Sequence, residues 1–276
     1  MSGAVMLAIV LGAILYSKWS FAALLLLITI GGELEFFNFA KKAGYAPQRW
    51  LGLILGVVLV LFAGAIITLD LSWSDIAAWG ACCVMPIVVL SITAMFIGEL
   101  YRKSSTPIAN IGSTLMGVVY IAIPMSMLHA MPQLLGNGEW EPWTILFFIF
   151  IIWANDVFAY LFGITLGKHR LFERISPKKS WEGFFGGLLG AMAMGYVAAM
   201  ILEDNVTLWI GLALIAAITG VFGDLVESLF KRSVDVKDSG NIIPGHGGVL
   251  DRFDALIFAT PVVVAYIVLC KHFFEL

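Results

Sequence analysis

The chain alternates long apolar stretches with short polar ones, and the apolar stretches have membrane-spanning length. Nine of them cover roughly 3–16, 20–40, 50–69, 76–99, 107–128, 143–163, 183–202, 207–230 and 252–272. A helix needs about 20 apolar residues to cross the hydrocarbon core of a bilayer. The first stretch falls short of that and could merge with the second. Backbone polar groups in lipid must bond within their own segment, so the stretches are read as α-helices. The pattern predicts an all-α, polytopic integral membrane protein with about nine transmembrane helices. It forms a single membrane domain over 1–276, with N-terminal helices over about 1–130 and a polar-residue-bearing C-terminal half over about 143–276. No internal repeat is evident. The first stretch lacks a cleavage site followed by a soluble region, so it is read as retained.

Composition supports this reading. The chain is 61% hydrophobic with mean hydropathy +0.96, whereas soluble domains are about 45–50% apolar. Cys82, Cys83 and Cys270 lie in or beside apolar segments without metal-ligand spacing, as small hydrophobes would. The net charge of −3 says little. Its distribution says more. With the N-terminus in the cytoplasm, the loops on that side and their helix ends hold Lys41, Lys42, Arg49, Arg102, Lys103, Lys168, Arg170, Arg174, Lys178, Lys179, Lys231, Arg232, Lys237 and Arg252. These are fourteen of the sixteen basic residues, leaving only Lys18 and Lys271. The intervening segments HAMPQLLGNGEWEP (129–142) and EDN (203–205) carry acids and no Lys or Arg. This positive-inside pattern predicts a multi-pass protein of the cytoplasmic (inner) membrane, surrounded by membrane lipids, with its polar loops in the cytoplasm. No nucleic-acid partner is expected. One span, GFFGGLLGAMAMG, has Gly183/Gly187 and Gly186/Gly190 at the spacing that lets helix backbones approach closely.

Acids inside spans are costly and face a partner or a cavity. Asp156 and Asp224 lie about six or seven residues from the cytoplasmic ends of their spans, roughly 10 Å deep at 1.5 Å per residue. Glu33 and Glu35 lie about as far from Lys41, and Asp251 and Asp254 open the last span on the same side. Asp224, Glu227, Ser228 and Lys231 share one helix face, as do Asp251 with Asp254 and Asp156 with Tyr160. Glu99, Glu173 and Asp235 read instead as interfacial ion pairs. For Asp156 and Asp224 the preceding neighbours are mostly apolar, and an unpaired carboxylate there is expensive. A hard cation with oxygen ligands resolves this, and Mg²⁺ takes one or two carboxylates plus phosphate oxygens.

The cytoplasmic loops supply the complementary charge. Lys168, Arg170, Arg174, Lys178 and Lys179 fill 164–182, and Lys231, Arg232, Lys237 and Arg252 line or flank 231–251. Such cations bind phosphate. The turn PGHGG (244–248) is nearly free of side chains, so its amides can approach phosphate oxygens. His246 within it suits a phosphate donor or acid–base group, or simply a residue that holds its loop. No Ser/His/Asp arrangement or cysteine nucleophile is present. Acids suited to Mg²⁺ beside bases suited to phosphate point to phosphoryl or nucleotidyl transfer at the membrane surface.

The run SLFKRSVDVKDSGNIIPGHGGVLDRFD (228–254) closely resembles the signature of the phosphatidate cytidylyltransferase, or CDP-diacylglycerol synthase, family. Ser228, Lys231, Arg232, Lys237, Asp238, Gly240, Ile243, Pro244, His246, Gly247, Gly248, Asp251, Arg252 and Asp254 stand at its fixed positions. WANDVFAYLFG (153–163), SPKKSWEG (176–183) and GDLVES (223–228) extend the resemblance, while the N-terminal half shares only hydropathy. The resemblance implies conversion of CTP and phosphatidate to CDP-diacylglycerol and pyrophosphate. It also implies Mg²⁺, a neighbouring monovalent cation such as K⁺, and a homodimer. Taken with the charge pattern, it makes Asp224, Asp251 and Asp254 metal ligands, with Lys237 and His246 among the catalytic residues. Ser228, Lys231, Arg232, Asp238, Gly247, Gly248 and Arg252 become substrate-binding residues. Asp156, Lys178, Lys179 and Glu182 join them in a secondary rank. Two rivals stand beside this reading. One is a related cytidylyltransferase acting on unsaturated ether lipids. The other is an ion-coupled transporter, which would spread acids through the membrane depth rather than cluster them at one face.

Overall fold

A computed structural model describes residues 2–136, 138–240 and 247–273, with residues 2–4 by backbone alone. Nine long helices follow one another among these residues. They are α1 (Ser2–Tyr16), α2 (Lys18–Lys42), α3 (Arg49–Thr68), α4 (Trp73–Arg102) and α5, which runs from Pro107 to Leu128. After the short helix Met131–Leu135 come α6 (Pro142–Leu166), α7 (Trp181–Leu202), α8 (Val206–Ser233) and α9 (Leu250–Phe273). Eight helical spans are long and apolar enough to cross a membrane. The exception is α1, whose 15 residues reach about 22 Å against a hydrocarbon core of about 30 Å. It stays separate from α2 because Ser17 caps α2: its Oγ accepts from the Ser20 amide, and Ser20 Oγ accepts from the Ser17 amide.

Between α6 and α7 the structure adds what apolar periodicity does not reveal, an antiparallel hairpin of β1 (Arg170–Phe172) and β2 (Ser176–Ser180). Five-residue π turns at Gly80–Val84 in α4 and Val118–Ala122 in α5 each stand just ahead of a proline, Pro86 or Pro124. Proline has no N–H to continue the regular ladder, so the helix widens locally to a longer bond.

The chain divides into two compact units, Met1–Ala130 with Ser233–Arg252, and Met131–Arg232 with Phe253–Leu276. In the first, α2 and α3 pack closely: a Cβ on Gly52 would lie 2.5 Å from the Phe37 ring, and one on Gly56 would strike the Glu33 carboxylate. Lys18 at the start of α2 pairs with Asp70 just beyond α3 at 2.6 Å. Glu99 is buried and satisfied by Arg102 at 2.6 Å, Gln48 at 2.9 Å and Asn110 at 3.2 Å. This is the pairing expected of it.

In the second unit the glycine-rich face of α7 lies against α6. A Cβ on Gly183 or Gly187 would press on the Ala159 or Asn155 carbonyl at 2.7 or 2.9 Å, and one on Gly186 or Gly190 on the Phe162 or Phe158 side chain. Gly195 does the same for α8, with the Trp209 carbonyl 2.7 Å from its would-be Cβ. The GxxxG spacing therefore marks the α6–α7 seam. Gly187→Val is expected to lower the thermal unfolding midpoint in detergent, at about 1–3 kcal/mol for overpacking. Leu189→Val, on the exposed face of the same helix, is expected to change it little.

Candidate active site

The second unit concentrates charge where α8 meets α9. Asp224 and Glu227 project from α8 and Asp254 from the first turns of α9, and one carboxylate oxygen from each lies within 4.8 Å of the others. Gly223 permits this approach, because a Cβ there would lie 2.7 Å from the Asp254 carbonyl and 2.7 Å from Phe258 Cβ. Three carboxylates at such range repel one another unless cations stand among them. Lys179 Nζ reaches Asp224 at 2.5 Å and Lys231 Nζ reaches Glu227 at 2.5 Å. Ser228 Oγ donates to Asp224 Oδ1 at 3.2 Å, one turn along the same face. An all-oxygen, acidic donor set of this kind suits a hard divalent cation.

A cavity of about 500 Å³ opens beside Asp224. Asn155, Asp156 and Tyr160 of α6, Arg170 of β1, Lys178 and Lys179 of β2 and the start of α7 line it. This lies within the usual range for small-molecule sites, about 300–1,000 Å³. Three cations and two acids in one lining suit a phosphate ester accompanied by a metal ion. The hairpin is what brings Arg170, Lys178 and Lys179 together, and Glu182 fixes its base. The Glu182 carboxylate accepts from the Lys168 amide at 3.1 Å and the His169 amide at 3.2 Å, and meets His169 Nδ1 at 2.6 Å. Ser180 ends β2 and caps α7, accepting from the Gly183 amide at 3.1 Å.

Asp251 belongs to the first unit. Its Oδ2 accepts from the Gly248 amide at 2.8 Å and the Ser239 amide at 2.8 Å, and lies 2.9 Å from Ser239 Oγ. Gly247 takes φ +82, the left-handed region that glycine tolerates, beside this carboxylate. Lys237, Asp238 and Arg252 of this unit are exposed, as is Arg232 at the end of α8 in the second unit. His246, with 241–245, lies outside the described residues. The structure thus groups Asp224, Asp254, Asp156, Lys178, Lys179, Ser228 and Lys231 within one unit. Gly247, Gly248 and Asp251 stand together in the other.

A model of the cytidylyltransferase family matches residues 1–270. The chain belongs to the cytidylyltransferase family. Among its relatives is a phosphatidate cytidylyltransferase of Staphylococcus aureus (strain COL), 37% identical over 193 residues, or 69% of this chain and 70% of that one. The protein of the same name from Staphylococcus saprophyticus is 36% identical over 194 residues, 70% of each chain. That from Staphylococcus epidermidis (strain ATCC 12228) is 36% identical over 193 residues, 69% of this chain and 70% of that one.

For a member of this family, the structure adds residues that the signature passes over. Glu227 was legible only as a position sharing the Asp224 face, Asn155 only as the neighbour of Asp156, and Ser239 fills an unspecified place in the signature. Glu35 shared a membrane depth with the other acids and carried no further sign. The second-rank residue Glu182 binds the hairpin's backbone. Replacing it with Ala strands charged-acceptor hydrogen bonds worth about 1.5–3 kcal/mol each. Glu182→Ala is therefore expected to speed amide exchange at Lys168 and His169 by about tenfold or more, read by hydrogen–deuterium exchange, with α8 unchanged.

Proposed function

We propose that this chain is a phosphatidate cytidylyltransferase, joining CTP to phosphatidate to give CDP-diacylglycerol and pyrophosphate. One observation carries the chemistry: the Asp224, Glu227 and Asp254 carboxylates stand beside a cavity lined by Arg170, Lys178 and Lys179. Cytidylyltransferase membership and the 228–254 signature supply the substrates. In the reaction an oxygen of the phosphatidate phosphate attacks the α-phosphorus of CTP. A new P–O bond forms, the bond to the β-phosphate oxygen breaks, and pyrophosphate departs in line with its charge. A phosphate monoester is already largely ionised at neutral pH, so no side chain has to act as a strong base.

The chain's own groups position and neutralise. Lys178, Lys179 and Arg170 hold phosphate oxygens at the cavity wall. Ser228 fixes the Asp224 carboxylate, and Lys231 holds Glu227. Arg232, Lys237, Asp238, Arg252 and the Gly247–Gly248 amides are assigned to the nucleotide phosphates, with His246 as a further donor in that loop. Asp156 borders the cavity and orients cations rather than reacting. Mg²⁺, held by Asp224 and Asp254 with Glu227 beside them, would neutralise charge developing on the transferred phosphorus and its leaving group. Asp251 keeps the ligand role implied by the signature and adds a loop-ordering one. A monovalent cation such as K⁺ and a homodimer rest on the family resemblance. The Lys and Arg distribution supports an inner-membrane protein whose loops 164–182 and 231–251 face the cytoplasm. Phosphatidate keeps its tails in the bilayer, and acids roughly 10 Å below the surface suit a headgroup presented from the side.

Purified protein is expected to form labelled CDP-diacylglycerol from labelled CTP and phosphatidate with Mg²⁺, and none after chelation. A panel including unsaturated ether-lipid phosphates separates the related cytidylyltransferase reading, and absence of product from phosphatidate under any divalent ion would overturn the proposal. Asp224→Asn is expected to cut turnover by about a hundredfold or more, the scale of losing one charge-stabilising group in a site, with unchanged elution in detergent. Near-normal turnover would remove Asp224 from the metal. For orientation, Glu203→Cys in a background without the native cysteines is expected to label from outside the cell with an impermeant maleimide. Labelling only after lysis would reverse the topology.

A further inference from the structure

Glu35 is the candidate that the signature does not contain. It lies on α2, more than two hundred residues upstream of the loop it contacts, and is 2% exposed. Its Oε1 accepts from the Val249 amide at 2.9 Å, and its Oε2 from the Leu250 amide at 2.9 Å and from Ser239 Oγ at 2.8 Å. Val249 and Leu250 are where α9 starts. A carboxylate there satisfies amides that have no partner within the helix and favourably meets the positive end of its dipole. Ser239 in turn lies against Asp251, whose Oδ2 accepts from the Ser239 and Gly248 amides. The glycines follow from the same carboxylate: a Cβ on Gly240 or Gly248 would collide with it.

Both ends of the signature loop therefore converge on one buried side chain. Residues 239–240 reach it through Ser239 Oγ and the open face of Gly240. Residues 248–250 reach it through two amides and the open face of Gly248. In the sequence, residues 241–247 join these ends, and directly before them stand Lys237 and Asp238. We propose that Glu35 is a positioning residue for the nucleotide: it fixes the two stems, 237–240 and 247–250, and the Asp251 carboxylate, so that CTP meets stem residues already in place. The inference rests on the cytidylyltransferase reading above. Glu35 touches no substrate and acts through Ser239, Asp251 and the loop amides. Without it, CTP binding has to bear the entropy of fixing these two stems. Phosphatidate binding, assigned to the hairpin cations, does not.

The test uses full-length protein in detergent with Glu35→Gln, which keeps the size but turns one acceptor into a donor facing other donors. Expected are an elution profile like wild type, a KM for CTP raised about tenfold, and a KM for phosphatidate within about twofold. Equilibrium binding of CTP alone, without phosphatidate or turnover, is expected to weaken by a similar factor. If Glu35→Gln does not fold, Ser239→Ala carries the same test, since it removes the group shared by Glu35 and Asp251. Unchanged CTP binding and KM would overturn the inference, even if kcat or stability falls. So would equal rises in both KM values. A wild type that makes no CDP-diacylglycerol defeats the functional reading instead, and the binding arm then still decides the role of Glu35.

Discussion

A carboxylate below the surface of a bilayer cannot rely on water, so the protein has to satisfy it from within. That constraint organises the polar part of this molecule. Glu33 is buried without a hydrogen-bond partner among the described residues, but other buried or half-buried acids near the helix ends are met by specific donors, and the donors differ in kind. Glu99 takes a guanidinium and two carboxamides. Glu35 takes two backbone amides and a hydroxyl. Asp224 and Glu227 take lysine ammonium groups.

Close approach of backbones makes these arrangements possible, and glycine provides it at a few decisive places. Gly223 lets α8 and α9 touch, which is why Asp224 and Asp254 share a cluster. The glycines of α7 let α6 lie against it, which sets Asn155 and Asp156 in the lining of the same cavity as the hairpin cations. Gly240 and Gly248 leave the volume that the Glu35 carboxylate fills. In each case the missing side chain matters because a charged group on the neighbouring element needs the space or the proximity.

Much of this was legible in the sequence. Apolar runs of membrane length located the helices closely: the span expected over 183–202 is Trp181–Leu202, and that over 252–272 is Leu250–Phe273. Prolines and polar loops set the boundaries, and the GxxxG spacing marked a real seam. The 228–254 signature pointed to the family. What escaped is what periodicity and motif do not encode. The hairpin over 170–180 has strands of three and five residues, too short and too charged for an alternating pattern. Pairing of Glu35 with a loop beyond residue 230 depends on tertiary contact, and an acid within an apolar helix has the same sequence appearance whether it meets a lysine, an amide or a metal. Glu227 illustrates the limit: its helical spacing from Asp224 put it on the right face, but only the approach of α9 made it part of a cluster.

The difference between the donor sets also separates scaffold from chemistry. Backbone amides at a helix start are fixed by the helix itself, so the Glu35 carboxylate has partners that cannot leave without unravelling α9. Lysine is a charged group on a flexible stem with strong affinity for phosphate. Lys179 bridges the two halves of the reaction's needs, since it pairs with Asp224 and also lines the cavity. Asp224 would be among the residues holding a divalent cation, which would supply charge neutralisation there; Lys179 would then be free to hold a phosphate oxygen at the cavity it already lines, each charge exchanging one partner for another. A site that binds metal and phosphate in succession requires counter-ions that can be handed over in this way. The lysine-paired acids of α8 meet that requirement, and the amide-bound acid of α2 does not.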